Sequence, residues 1–272
     1  MSEEEHAALH AAGIAHGHDH EHTHKHTHED RHIHYGEGEA GISVPGLDQT
    51  RVTKMEEAVL GENDRRTAEN RAVFEKDGML ALNLLSSPGS GKTTLLCETV
   101  KALQPDLPVA VIEGDQQTSN DADHIRETSV SAIQVNTGKE CHLDAAMIAD
   151  ASKSLNPQEG SVLFIENVGN LVFPATFDLG EAAKVVILSV TEGEDKPIKY
   201  PDMFAVADLM IINKIDLAPY VKFDIARCMG LARRVNPSLQ ILQLSATSGE
   251  GLEIWVEWVR ERRAGLIASR AA

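Results

Sequence analysis

Cysteine is scarce in this chain. Cys97, Cys141 and Cys228 are odd in number and far apart, so no disulfide framework can be drawn, and a reducing compartment fits. Positive charge is also short, with 25 Lys and Arg against 42 Asp and Glu. The resulting formal net charge of −17 argues against a broad nucleic-acid-binding surface, which needs clustered cations to displace counterions from phosphate. No apolar run approaches the roughly 18–20 residues that span a bilayer. The N-terminus is acidic and His-rich, not basic and then apolar, so it lacks the form of a secretory signal. No internal repeat is visible. The expectation is a soluble, cytoplasmic protein with neither a membrane nor a nucleic acid as partner.

What is present divides the 272 residues into three parts. Residues 1–50 hold eleven of the thirteen histidines, between His6 and His34, with few apolar and many acidic residues. Such a segment cannot bury enough surface to offset its ordering entropy, and it is expected to be disordered up to Pro45-Gly46. Residues 51–78 read as an N-terminal helix. Thr53 and Glu56 have capping-box spacing, and Met55, Val59, Val73 and Phe74 are its main apolar positions. It is more polar than a core helix, so it should pack on a domain edge or on a partner. From residue 79 to 268, short apolar runs at 80–85, 109–112, 132–135, 162–165, 185–190, 209–212 and 240–244 alternate with amphipathic stretches such as 93–104, 142–153, 222–235 and 250–264. Strands apolar on both flanks imply a mostly parallel sheet covered by helices on each face, an α/β doubly wound fold.

The run 80–85 leads into Ser86-Ser87-Pro88-Gly89-Ser90-Gly91-Lys92-Thr93-Thr94, a strand, a Gly-rich loop and a helix start. Gly89 and Gly91 let backbone N–H groups approach phosphate oxygens, and the helix N-terminus adds partial positive charge. Lys92 can reach the β- and γ-phosphates, and the Thr93 hydroxyl can reach Mg²⁺. Ser86 holds the place where this P-loop NTPase pattern normally begins with Gly; a small residue should be tolerated there.

Asn213-Lys214-Ile215-Asp216 follows the strand at 209–212. Asp216 can accept two hydrogen bonds from the guanine N1–H and exocyclic amine, a donor pair that adenine lacks. Asn213 can brace the loop, and the stem of Lys214 can lie over the base. Ser245-Ala246-Thr247, after the last strand, matches a loop whose backbone supports the guanine carbonyl, although it also reads as a strand-to-helix cap. GTP is therefore the expected substrate. Asp115, just past the strand at 109–112, is a candidate for contact with Mg²⁺ or the attacking water. Glu166-Asn167-Val168-Gly169 is spaced like the D-x-x-G element of GTPases. Glu166 can hold a Mg²⁺-bound water, and Gly169 can present its N–H to the γ-phosphate. Lys92, Asp115, Glu166 and Gly169 form the expected catalytic set. No arginine finger is evident within the chain, so unaided turnover should be slow, roughly 10⁻⁴–10⁻² s⁻¹.

These motifs, with the stretches 137–144 and 174–181, resemble the hydrogenase nickel-incorporation GTPases of the HypB family over residues 50–265. The resemblance implies GTP hydrolysis during nickel insertion into [NiFe]-hydrogenase and a GTP-promoted homodimer. It also implies a hydrogenase large-subunit precursor as client and a zinc-binding HypA-type helper. The sister family of urease accessory GTPases is the nearest competitor. A nickel or zinc storage protein with incidental GTP turnover is a further alternative.

Metal ligands are expected in two places. Cys141 and His142 pair a thiolate with an imidazole, which suits Ni²⁺ or Zn²⁺. The family's site adds a second cysteine where this chain has Phe173, so two ligands per chain leave the set incomplete unless a dimer supplies the rest. The other place is the tail. His16, His18, His20, His22, His24, His26 and His28 recur at every second position, followed by His32 and His34. Such a tail can gather several imidazoles around each ion, and similar extensions in the family are associated with nickel storage. Cys97 and Cys228 lie in helical patterns and read as core residues, and His124 reads as a surface or switch residue. The helix at 252–259, with Trp255 and Trp258, reads as core packing.

Overall fold

The computed structural model describes residues 49–115, 125, 127–138 and 141–271, with side-chain surroundings from residue 60 to 270. The His-rich tail, Gln116 to His124, Lys139 and Glu140 lie outside the described residues. The elements run α1 (Gln49–Lys76), β1 (Leu80–Ser86), α2 (Lys92–Leu103), β2 (Val109–Asp115), β3 (Ser131–Asn136), α3 (Ala145–Leu155), β4 (Val162–Glu166), α4 (Phe173–Thr176), β5 (Ala183–Ser189), α5 (Lys196–Lys199), α6 (Pro201–Ala205), β6 (Leu209–Asn213), a 3₁₀ turn (Ile215–Tyr220), α7 (Ile225–Val235), β7 (Gln240–Gln243) and α8 (Leu252–Ala271).

The seven strands form one sheet in the order β3-β2-β4-β1-β5-β6-β7, and every pairing is parallel. All strands therefore end on one edge. β1 is central, with β4 on one side and β5 on the other, which places the loop after it at the switch point where ligands bind in such sheets. The strand periodicity of two divides the core. Leu80, Leu82 and Leu84 of β1 pack with α2 and α8, whereas Ala81 and Leu85 join the clusters on the opposite face. Asn83, on that opposite face, is fully buried in an otherwise apolar strand.

Trp255 and Trp258 lie in the core side of α8, as expected. Trp255 donates to Thr99 Oγ1 at 2.8 Å, and the two rings stack at 5.4 Å. Cys228 is buried in the core, and Cys97 is half-buried against it.

The N-terminal helix differs from its expected form. It begins at Gln49, so Thr53 lies inside it rather than at its cap. Val73 is 48% exposed while Phe74 is buried. Docking instead uses a polar stripe at helical spacing, Asn63, Thr67 and Asn70, continued by Phe74. Asn63 accepts from the Ala145 amide at 2.9 Å and donates to the Asp178 carbonyl at 2.8 Å. Thr67 also donates to the Asp178 carbonyl. Asn70 donates to the carbonyls of Ala145 and Leu179 at 2.8 and 3.0 Å. The helix thus bonds the backbone at the start of α3 and in the loop at 178–179. Arg71 adds a bidentate pair to Asp178 at 2.7 and 2.9 Å. Burial works against the Asp178 charge, but the Gly180 N–H and Arg71 outweigh it and hold the carboxyl below its ordinary range.

Replacing Asn70 with Ala strands the Leu179 carbonyl and removes the tie to the start of α3, so a loss of about 1–3 kcal/mol in urea denaturation is expected. A change within a few tenths of a kcal/mol would show that the polar stripe does not hold the helix.

Candidate functional site

The loop after β1 turns on Gly89 (φ 77°) and Gly91 (φ 87°), left-handed conformations that residues with a Cβ seldom adopt. A Cβ on Gly91 would stand 2.7 Å from Asn213 Nδ2, so close approach also requires glycine there. Ser86, in place of the usual first glycine, has no positive φ and is buried, its Oγ donating to the Ser87 carbonyl at 3.0 Å. The position therefore makes no demand that serine cannot meet. Gly91 is the N-cap of α2 and offers no side-chain cap, so the first-turn N–H groups of that helix face the loop's concavity. The cavity is about 480 Å³ and is lined by residues 86–94 with Asp115, Val168 and Gly169.

Beneath the loop, Lys92 and Glu166 form a buried ion pair at 3.2 Å, with side-chain exposures of 10% and 3%. Lys92 also donates to the Asn167 carbonyl. The Thr93 hydroxyl donates to Glu166 Oε1 at 2.6 Å, while Glu166 Oε2 is buried with no hydrogen-bond partner. A hydroxyl and an unsatisfied carboxylate oxygen at the phosphate cradle form a hard-oxygen donor set that fits Mg²⁺. Gly169 abuts the loop, since a Cβ there would stand 3.2 Å from the Pro88 ring.

Asn213, fully buried at the end of β6, holds a second loop to the first. It donates to the Ser90 carbonyl at 3.0 Å and accepts from the amides of Lys214 and Ala246 at 2.8 and 3.1 Å. Lys214 takes φ 62°, and its ammonium donates to the Gly89 carbonyl at 2.7 Å. The Ala246 amide, expected to support a base, here braces Asn213. Ser245 is buried, and its hydroxyl accepts from the Ser248 amide at 3.0 Å. Asp216 lies in the 3₁₀ turn, with Oδ1 buried and unpartnered.

Cys141 and His142 precede α3 on the other flank. His142 stacks on Phe177 at 4.0 Å between ring centroids and on Phe173 at 6.1 Å. Phe173 is therefore beside the pair, but it carries no ligand atom. Among the described residues no group of three His, Cys, Asp or Glu side chains is placed to hold a metal ion.

Sequence reasoning missed several residues that organise the site. Ser87 donates to Glu192, which also pairs with Lys196. Asn83, Asn167, Asn170 and Glu181 link the strand ends to the loops. Asn83 and Asn167 had a visible signal: a polar residue inside or directly after an apolar strand run.

A central parallel strand, a glycine loop, a helix N-terminus and a buried Lys–Glu pair define a P-loop nucleotide-binding protein. A family model described as the CobW/HypB/UreG nucleotide-binding domain matches residues 80–243. The chain is 57% identical to the hydrogenase maturation factor HypB of Cupriavidus necator, over 84% of this chain and 74% of that one. It is 59% identical to that of Escherichia coli K12, over 85% and 80%. The crystal structure of HypB from Helicobacter pylori in complex with nickel superposes with a TM-score of 0.70 at 40% identity, covering 75% of this chain and 96% of that one. The chain belongs to the HypB family of hydrogenase maturation factors. Among the described residues no helix is long and apolar enough to cross a membrane.

Burial pushes the Cys228 thiol up to about 12. In the native protein at pH 8, a thiol reagent should therefore leave Cys228 unmodified until denaturant is added. Rapid labelling of Cys228 without denaturant would show that the core does not seal this thiol.

Proposed function

We propose that this chain hydrolyses GTP to drive nickel delivery to a [NiFe]-hydrogenase precursor. The observation that carries the guanine assignment is the buried, unpartnered Asp216 Oδ1, set on a turn that Asn213 and Lys214 tie to the phosphate loop. A buried carboxylate oxygen without a donor is costly, and the guanine N1–H and amine supply the missing pair. Adenine does not.

The phosphates would lie in the cavity, with the amides of residues 88–94 around them and the Lys92 ammonium on the terminal groups. Thr93, Glu166 and Asp115 are the residues that would hold Mg²⁺, which neutralises charge between the terminal phosphates when bound. Asp115 and Glu166, at neighbouring strand ends, orient the attacking water, and the Gly169 N–H faces the γ-phosphate. No arginine lines the cavity among the described residues. Turnover is accordingly slow until a partner or a second subunit adds positive charge.

Nickel is the cargo. The HypB of Helicobacter pylori, crystallised in complex with nickel, supports that choice over zinc. Cys141 and His142 supply one sulfur and one nitrogen per chain. A homodimer that brings two such pairs together gives an S₂N₂ set, and among the described residues no group of three ligands forms within one chain. The histidines from His16 to His34 hold nickel in reserve. A HypA-type helper and the hydrogenase large-subunit precursor complete the cytoplasmic pathway.

Fluorescent GDP should be displaced by GTP and not by ATP. Asp216→Asn should weaken GDP binding by roughly ten- to a hundredfold, the scale of hydrogen bonds to a charged group. Equal affinity for ATP would end the assignment. In cells, Cys141→Ala should abolish hydrogenase activity, with recovery on added nickel. Full hydrogenase activity in that strain, or loss of urease activity alone, would overturn the delivery role.

A further inference from the structure

Asn167 is fully buried directly after β4, and five hydrogen bonds pass through it. Its amide donates to the Leu84 carbonyl at 3.1 Å, and its carbonyl accepts from Lys92. Its side-chain Oδ1 accepts from the amides of Val168 and Leu143 at 3.0 and 3.1 Å. Its Nδ2 donates to Asn83 Oδ1 at 3.3 Å, and Asn83 in turn donates to Glu181 at 3.1 Å. The direction of this chain is set at both ends. Two backbone amides can only donate and an ionised carboxylate can only accept, so neither amide side chain can flip without losing bonds.

The bond to Leu143 fixes the residue that follows His142. Two neighbouring contacts act on the same short loop. Asn170 donates to the Cys141 carbonyl at 3.4 Å. The Leu143 side chain is fully buried and seated on Gly114, where a Cβ would stand 2.7 Å from Leu143 Cγ. These contacts come from the end of β2 and the segment after β4, next to Asp115, Val168 and Gly169 of the cavity lining.

The pair does more than fill core space, because an apolar pair at Asn83 and Asn167 would take this acceptor from the Leu143 and Val168 amides and this donor from Glu181. What the polar pair adds is a directed link. An ammonium has three N–H donors, and Lys92 engages Glu166 and the Asn167 carbonyl. A γ-phosphate that takes the third Lys92 donor and meets the Gly169 N–H would pull on the segment that carries Asn167.

We propose that Asn167 is the positioning residue through which the terminal phosphate sets the backbone of the Cys141–His142 loop, and with it the geometry offered to the metal. This inference rests on the nucleotide reading above. By linkage, a nucleotide changes metal affinity only as far as it distinguishes two arrangements of that loop, and Asn167 is the covalent and hydrogen-bonded junction between them.

The test uses the full chain with saturating GDP or a non-hydrolysable GTP analogue. Amide exchange at Leu143 should differ between the two by at least about fivefold, the lower end of typical coupling. Nickel(II) binding, followed at the sulfur-to-nickel charge-transfer band so that the histidine tail is silent, should show a similar ratio. Asn167→Ala should bring that ratio close to one while still binding GDP. Asn236→Ala removes a buried asparagine that bonds the carbonyls of Phe204 and Ala207 far along the chain; it should lower stability yet keep the ratio. Retention of the full ratio in Asn167→Ala overturns the proposal. So does identical Leu143 exchange in wild-type protein that binds both nucleotides, a result that stands even if Asn167→Ala does not fold. Failure to bind either nucleotide overturns instead the assignment on which the proposal rests.

Discussion

The arrangement of this domain depends on the buried Lys92–Glu166 pair beneath the glycine loop. It joins the central strand's loop to the end of β4. Two charges removed from water need each other and further bonds to be tolerated, and losing one partner of such a pair typically costs about 3–5 kcal/mol. Here the Asn167 carbonyl and the Thr93 hydroxyl supply the further bonds. The same charges are those to which the proposed function assigns phosphate and Mg²⁺. On that reading the stability of the strand-end cluster and the chemistry at the cradle draw on one set of atoms.

Around this pair, asparagine performs a repeated task. Asn213 ties the base-side loop to the phosphate loop, Asn167 ties the Cys141–His142 loop to β4, and Asn63 and Asn70 tie α1 to the start of α3 and to residues 178–179. Each side chain offers an acceptor and two donors on a short stem. It can satisfy loop backbone groups that no strand or helix reaches, inside the protein where water is excluded. The polar look of the N-terminal helix has this cause. Its buried stripe reads loop backbone, and Phe74 adds the apolar anchor.

Much of the phosphate end was legible in the sequence because local chemistry dictates it. Gly89 and Gly91 are needed for positive φ, and Lys92 and Thr93 follow them at the helix start. The seven apolar runs matched the seven strands, because the five inner strands are buried on both faces and the half-exposed edge strands β3 and β7 still carry apolar residues at their centres. Val73 was misjudged, since adjacent positions 73 and 74 lie about 100° apart on a helix, and only packing decides which faces inward. The bond from the Ala246 amide to Asn213 was likewise not legible, because it joins residues 33 positions apart.

The sequence by itself determined the strand count, the phosphate loop, the turn at 213–216 after a strand and the adjacency of Cys141 and His142, because each is encoded within a few neighbouring residues. Strand order, the burial of Lys92 against Glu166, the stacking of His142 on Phe177 and the links through Asn83 and Asn167 were decided only by the tertiary structure. Those contacts join residues far apart along the chain, and local periodicity holds no information about which distant strand end will lie within hydrogen-bonding reach.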